Sequence, residues 1–249
     1  MRGTIPKERL DKIHSGLPAS MQLHEGFTAV GGFLIGSDSK SHDAQLQFWM
    51  AWGLLNETHL ALTEAEACKV WYQEFRQPPD NVAATYFSRF FLDDAALRLY
   101  ASREHFLKGI VDFWNLAHPS KKVGTLLDWV LTKLREKKIQ PQIVEWLEKI
   151  QSNADWEKCA KYRNGWVHNE RGDLVGLSPA NRITFTYTKD PHAEVVTVGM
   201  EHRGQMTIDD LARTMRGAYK VLFRFYEKSL DALAPEAQQR LHGGLLSPE

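Results

Sequence analysis

The stretch NVAATYFSRFFLDDAALRLYASREHFLKGIVDFWNLA, residues 81–117, decides the fold class. Large apolar side chains recur along it with a period of about 3.6 residues, which is typical of an α-helix that buries one face. They are Phe87, Phe90, Phe91, Leu97, Tyr100, Phe106, Ile110, Phe113 and Trp114. In a chain of 249 residues, a helix of this length is expected to be the spine of the domain.

Helical patterns continue on both sides of this segment. A TEAE sequence at residues 63–66 has the form of a capping box, which predicts that a new helix begins there. Further helices are predicted at about 41–62, 63–76, 123–138, 141–150, 153–164 and 207–233. Apolar residues alternate with polar ones around the KDPH sequence, and this alternation predicts a β-hairpin at about 181–202.

The predicted fold is therefore mainly α, an antiparallel helical bundle with a small inserted β-hairpin before the C-terminal helix. We expect one helical domain at 41–232. Gly, Pro and Ser interrupt residues 1–40, which predicts an irregular N-terminal arm. Residues 233–249 show no strong pattern and predict a weakly ordered C-terminal tail.

Composition excludes several classes of protein. Apolar residues make up 43% of the chain and charged residues 25%, which is typical of a globular protein. The 31 basic residues balance the 31 acidic ones, which argues against a protein that coats nucleic acid but leaves a local basic face open. Two distant cysteines cannot form a disulfide framework or a zinc site. No apolar run spans a bilayer and no signal peptide is evident, so we expect a cytoplasmic protein without a membrane partner.

Arg163, Asn164 and His168 form the candidate site, in the sequence KYRNGWVHNE at residues 161–170. Asn164 and His168 are four residues apart and so share one face of a helix. An arginine followed by four to six residues and then a histidine is a loose pattern, and the spacing alone decides nothing. The alternative interpretation is a polar helix end whose histidine lies near the C-terminal dipole.

The same loose pattern occurs twice more in the chain. Arg9 with His14, and Arg98 with His105, match it as well as Arg163 does. Arg98 and His105 lie within the long helix, so we interpret them as surface or packing groups. What sets Arg163 apart is the adjacent asparagine, the apolar residues around it and its place between a helix and the predicted hairpin.

The block YRNGWVH resembles the Arg-Asn-x-x-x-His signature of HEPN domains, and residues 86–116 look like the first core helix of the Cthe-2314-like HEPN subfamily. The resemblance covers roughly residues 41–232. It implies a dimeric four-helix-bundle-like domain and a metal-independent endoribonuclease without a cofactor. It also implies a toxin–antitoxin or antiviral defence setting with an antitoxin or defence-system partner protein. Some HEPN toxins have a tyrosine that a partner nucleotidyltransferase modifies, but this chain has Glu170 there.

The three residue types suit RNA cleavage, in which the 2′-hydroxyl of the substrate is the nucleophile. His168 can act as acid or base near neutral pH, since the ordinary pKa of histidine is about 6.5. The planar fork of Arg163 can bind two phosphate oxygens, and Asn164 can orient the imidazole or bind phosphate. One histidine does not readily act as base and acid in the same step, so this chemistry predicts a homodimer that brings two motifs together.

Two further elements complete the prediction. Arg213, Arg216, Lys220 and Arg224 form a narrow basic stripe on the last helix, which is either an RNA-binding surface or a solvated helix face. Asp94 either pairs with Arg98 in its own helix or reaches over to orient Arg163.

Two alternatives to the ribonuclease remain open from the sequence. One is a non-catalytic HEPN module that binds RNA, a nucleotide or a protein partner. The other is a structural or interaction protein in which residues 163–168 are an ordinary helix end.

Overall fold

The computed structural model describes residues 5–31, 39–116, 125–167, 182–190, 193–201 and 206–245. Across these ranges the chain is mainly helical, which confirms the predicted helical class. The helices are α1 (Lys7–Ser15), α2 (His24–Gly31), α3 (Ser39–Val70), α4 (Asn81–Phe113), α5 (Leu126–Glu136), α6 (Pro141–Gln151), α7 (Ala154–Val167) and α8 (Ile208–Leu245). A short 3₁₀ helix (Ser20–Leu23) precedes α2, and a π-helical turn (Trp71–Phe75) follows α3.

Helices α3 and α4 pack side by side over most of their length and form the spine of the molecule. The Ser102 hydroxyl donates to the Ala51 carbonyl at 2.7 Å, and Ser88 donates to the Ala65 carbonyl at 2.8 Å. The later residue of α4 pairs with the earlier residue of α3, so α3 and α4 are antiparallel. Asp80 caps the start of α4 by accepting a hydrogen bond from the Ala83 N–H at 2.8 Å.

Aromatic rings from four helices form the centre of the core. Phe106 of α4 lies among them, with its ring stacked on Tyr226 of α8 at 4.3 Å between centroids. Phe27, Phe48 and Phe225 surround Phe106 at 5.1–6.0 Å, mostly edge to face. All five side chains are fully buried. Such pairs add stability beyond the apolar area that they bury, so α2, α3, α4 and α8 share one core.

The predicted helix start at residues 63–66 is wrong, because α3 runs through it without interruption. Thr63 is buried, and its hydroxyl donates to the Leu60 carbonyl at 2.8 Å instead of accepting a hydrogen bond from the backbone ahead. A threonine that bonds back to the preceding turn is compatible with a continuous helix. The capping-box pattern therefore lies in the middle of a helix that tertiary packing keeps intact.

The N-terminal segment also differs from the predicted irregular arm. Within it, α1, the 3₁₀ helix and α2 are regular, and Phe27 and Val30 of α2 are fully buried. Helices of eight or nine residues are too short to show a clear period and are weak on their own. Contacts with the rest of the chain hold them, including the Tyr219 hydroxyl, which donates to the Pro18 carbonyl at 2.8 Å.

The predicted C-terminal tail is likewise helical as far as Leu245. Pro235 lies inside α8, where it removes one backbone donor. Leu233 and Ala237 on either side are fully buried, and Trp114 donates its indole N–H to Glu236 at 2.9 Å. These contacts stabilise the helix beyond the proline.

Two strands lie within the range for which the sequence predicts a hairpin. Strand β1 (Arg182–Asp190) pairs with β2 (Ala193–Glu201) in antiparallel fashion, with Phe185 opposite Val198. The predicted turn residues Pro191 and His192 lie outside the described residues.

Candidate functional site

Helix α7 carries the described part of the candidate site. Its N-terminus is capped by Asn153, whose side-chain oxygen accepts from the Trp156 N–H at 2.9 Å. Trp156, Cys159 and Tyr162 recur at three-residue spacing and are buried, so this face of α7 packs into the core. Burial raises the pKa of the Cys159 thiol to about 12, which makes it an inert packing group.

A glycine allows α7 to approach α8 closely. A β-carbon added at Gly217 of α8 would lie only 2.0 Å from a carboxylate oxygen of Asp155, near the start of α7. A side chain at this position would therefore force the Asp155 side chain to move away from α8.

A partly buried hydrogen bond joins the other end of α7 to the spine. The Tyr162 hydroxyl donates a hydrogen bond to the Asp93 carboxylate of α4. Arg89, one turn before Asp93, lies 3.7 Å from the same carboxylate. Burial, reinforced by the negative charge of Asp93, raises the pKa of Tyr162 well above its usual range, so the phenol stays a donor. This anchor sets the position of the residue that follows it, Arg163.

Arg163 lies on the ring of Tyr100 from α4. The guanidinium carbon is 4.3 Å from the ring centroid, which is a cation–π contact. One terminal nitrogen of Arg163 donates to the side-chain oxygen of Asn164 at 3.0 Å, and Asn164 itself is exposed. The Nε atom of Arg163 is buried and has no hydrogen-bond partner within the described ranges.

The charge environment separates Arg163 from the other two arginines of the loose motif. Arg9 is paired with Glu74 at 2.5 Å. Arg98 is paired with Asp94 at 2.7 Å and also contacts Glu57. Arg163, in contrast, is half-buried, and no carboxylate of the described residues lies within 4 Å of it. A partly desolvated cation without a counter-ion favours an anionic ligand.

Of the three predicted site residues, the structure places Arg163 and Asn164 side by side at the C-terminal end of α7. His168 follows that helix in the sequence but lies outside the described residues, as does Glu170. Because the Nε atom of Arg163 is shielded, its terminal nitrogens are the donors that a ligand would meet. The arrangement suits an oxyanion such as a phosphodiester.

Asp94 does not orient Arg163 in this structure. Its carboxylate accepts from Arg98 at 2.7 Å, one turn further along α4, and burial raises the pKa of that carboxyl. An ion pair at this helical spacing forms without any tertiary contact, which explains why it prevails. The acidic residue that contacts α7 is its neighbour Asp93, which sequence reasoning missed.

Tyr100 was also missed as a site residue, because a tyrosine in an apolar stripe is first interpreted as core. The signal in the sequence is that Tyr100 and Arg103 are three residues apart, which makes them neighbours on the surface of a helix.

The basic stripe of α8 is only partly available to a ligand. Arg213, Lys220 and Arg224 are exposed, and Arg213 pairs with Asp210 at 2.9 Å. Arg216 is half-buried, lies 3.7 Å from Glu66 and has a shielded Nε atom. Either interpretation of the stripe, as a solvated helix face or as an RNA-binding surface, therefore applies to Arg213, Lys220 and Arg224 and not to Arg216.

Two general findings concern the described residues as a set. They contain no group of three or more histidine, cysteine or carboxylate side chains arranged to hold a metal ion. None of their helices is both long enough and apolar enough to span a membrane.

Comparisons of the chain with protein-family models, with curated proteins and with solved structures find no match. The likeness to HEPN domains therefore depends on the residues of the motif and of the long helix, and function has to be argued from the site itself.

Proposed function

We propose that this protein is a HEPN-type endoribonuclease that cleaves RNA without a metal ion, with Arg163, Asn164 and His168 as its site. The observation that supports this most strongly is the state of Arg163. It is half-buried, oriented by Tyr100 and Asn164, and not neutralised by any carboxylate of the described residues. A guanidinium in this state is suited to bind the phosphate at which negative charge develops.

The proposed reaction needs only groups of the protein and the substrate. A base removes the proton of the 2′-hydroxyl, whose oxygen attacks the adjacent phosphorus while the bond to the 5′-oxygen breaks. An acid protonates that leaving oxygen, and the products carry a 2′,3′-cyclic phosphate and a 5′-hydroxyl. His168 from each of two copies would provide the base and the acid, so the active form in this proposal is a homodimer.

Cleavage of RNA by the purified protein tests this proposal. We expect cleavage of a labelled RNA in EDTA, with products that carry a cyclic phosphate, and no cleavage when the 2′-hydroxyl is replaced by a 2′-O-methyl group. Arg163→Ala and His168→Ala should each lower the rate by about 100-fold or more, which is typical for loss of an acid–base group or of charge stabilisation. Cleavage that requires a divalent metal would contradict the proposal.

The chain offers a matched control for these variants. Arg9 and His14 have the same spacing as Arg163 and His168, His14 is exposed, and Arg9 is neutralised by Glu74. Arg9→Ala and His14→Ala should therefore leave the cleavage rate within about twofold of the parent. Equal losses in both pairs of variants would mean that the effect comes from altered folding and not from a site at Arg163.

A binding module that does not cleave is the second candidate, favoured by the equal numbers of acidic and basic residues. It predicts RNA binding that survives His168→Ala, with no cleavage by the parent. Arg213, Lys220 and Arg224 are the proposed RNA-backbone contacts in either case, because they are exposed on one side of α8.

A further inference from the structure

Two guanidinium groups lie on one aromatic ring between α4 and α7. The ring of Tyr100 has the Arg163 guanidinium at 4.3 Å and the Arg103 guanidinium at 4.5 Å from its centroid. Arg103 comes from the same helix as the tyrosine, three residues later, whereas Arg163 comes from α7. The ring therefore connects the spine helix to the arginine of the candidate site.

Arg103 serves to hold the ring and not to bind a ligand. It is only 4% exposed, and its terminal nitrogen donates to Glu104 at 2.5 Å. Its guanidinium also lies 5.0 Å from the ring of Trp156, in the buried face of α7. Tyr100 is thus packed against a side chain that is itself fixed by both helices, which restricts the orientation of its ring.

An aromatic ring and a carboxylate orient an arginine with different consequences for charge. A carboxylate such as Asp94 or Glu74 orients its arginine and also cancels its charge. A ring attracts the cation through its quadrupole and leaves the full positive charge for a ligand. The ring also covers one face of the guanidinium, which limits the ways in which that group can rotate.

From this geometry, and building on the proposed function, we propose that Tyr100 is a positioning residue for RNA cleavage. Its ring holds the Arg163 guanidinium with Nε shielded and the terminal nitrogens presented to the scissile phosphate. Tyr100 does not touch the substrate and acts only through Arg163. The ring is required for this role and the hydroxyl is not.

Substitutions at Tyr100 test the role by the rate of cleavage. We expect Tyr100→Leu to lower kcat/KM about tenfold, as loss of a partly desolvated cation–π contact would, and Tyr100→Phe to stay within about twofold of the parent. In an Arg163→Ala background, Tyr100→Leu should cause no further loss, because the two side chains act as one unit. Additive losses, or equal losses in the leucine and phenylalanine variants, would overturn the inference.

The control removes a comparable contact elsewhere. Arg76 lies over the ring of Tyr72 at 5.5 Å from its centroid, in the turn that follows α3. Tyr72→Leu should change the melting temperature about as much as Tyr100→Leu does, and it should leave kcat/KM within about twofold of the parent. A tenfold loss in this control would show that any lost tyrosine contact impairs cleavage, and would overturn the specific role of Tyr100.

A second measurement separates this inference from the proposed function. The Nε–H signal of Arg163 can be followed by nitrogen-15 NMR and assigned from its loss in Arg163→Lys. In the parent and in Tyr100→Phe it should be shifted by the ring and exchange slowly, and in Tyr100→Leu it should move to the range of exposed arginines. An unchanged signal in Tyr100→Leu would overturn the positioning role even if the parent cleaves RNA.

The same NMR measurement is repeated after addition of an uncleavable 2′-O-methyl RNA. It should move the Arg163 signal of the parent and move it much less in Tyr100→Leu. A parent that neither cleaves RNA nor shows this movement would overturn the proposed function, and the positioning role with it. If the parent cleaves RNA but the Arg163 signal is the same in the parent and in Tyr100→Leu, only the positioning role is overturned.

Discussion

The side chains around Arg163 show how much one residue depends on its partners. Arg9, Arg98 and Arg163 match the same loose sequence pattern, but the structure gives them different charge partners. Glu74 pairs with Arg9 across 65 positions of the chain, whereas Asp94 pairs with Arg98 within one helix. Only the second of these partners was accessible to sequence reasoning, because helical spacing brings residues four apart together.

His59 gives a prediction at the same scale. It is half-buried in α3, and its Nε2 atom is shielded without a hydrogen-bond partner among the described residues. Burial, together with electrostatic interactions with His14 and Arg216, lowers the pKa of His59 below its ordinary value of 6.5. The neutral form is therefore favoured in the folded protein. As the pH falls through about 6.5, the unfolded chain takes up the proton first and the folded state loses stability.

We expect His59→Gln to weaken the loss of stability between about pH 7.5 and 5.5, since this substitution removes one group whose pKa differs between the folded and unfolded states. Urea unfolding at several pH values measures it, and His42→Gln, exposed on the same helix, is the control. A pH dependence that is the same in His59→Gln and in the parent would contradict this account.

Among the elements, α4, α5, α6 and α7 lie close to where periodicity predicts them. Their ends carry local signals, such as the Asp80 and Thr125 caps and Pro141 in the first turn of α6. The failures are α3 and α8, where a capping pattern and a proline lie inside continuous helices. Local signals predict helix ends only where tertiary packing does not override them.

The close contact between α3 and α4 gives a prediction at the scale of elements. A β-carbon added at Gly109 of α4 would lie 2.7 Å from the ring of Phe48, which is fully buried in α3. Gly109→Ala should therefore destabilise the protein by about 1–3 kcal/mol, since overpacking outweighs the gain in helix propensity.

Gly53 of α3 is the matched control, because a β-carbon there meets nothing within 4 Å. Gly53→Ala should stabilise the protein by up to about 1 kcal/mol, the difference in helix propensity. Urea unfolding of both variants measures the two effects. If both variants change the unfolding free energy in the same direction, contacts other than that of Gly109 with Phe48 determine the distance between α3 and α4.

At the scale of the whole molecule, residues 5–31 belong to the core. Phe27 lies 5.6 Å from the ring of Tyr226 and 6.0 Å from that of Phe106, so α2 closes the aromatic cluster formed by α4 and α8. Leu17 and Leu23 are buried as well. A domain boundary at residue 40 would divide this core.

Phe27→Ala should therefore cost about 3–5 kcal/mol of unfolding free energy, as for other large aromatic side chains removed from a core. Met21→Ala, in the same segment but 58% exposed, should change it by less than about 0.5 kcal/mol. The comparison is made by urea unfolding. A small effect of Phe27→Ala would mean that residues 5–31 form a separable arm after all.

The sequence by itself determined the helical class, the extent of the long helix and the residue types at the candidate site. These follow from periodicity and side-chain chemistry, which are local properties. Only the tertiary structure decided that residues 5–31 join the core and that Asp93 rather than Asp94 contacts α7. It also decided that Arg163 lies on the ring of Tyr100 and that no carboxylate of the described residues pairs with it. The physical reason is that burial and charge compensation depend on side chains brought together from distant positions of the chain, which no local pattern encodes.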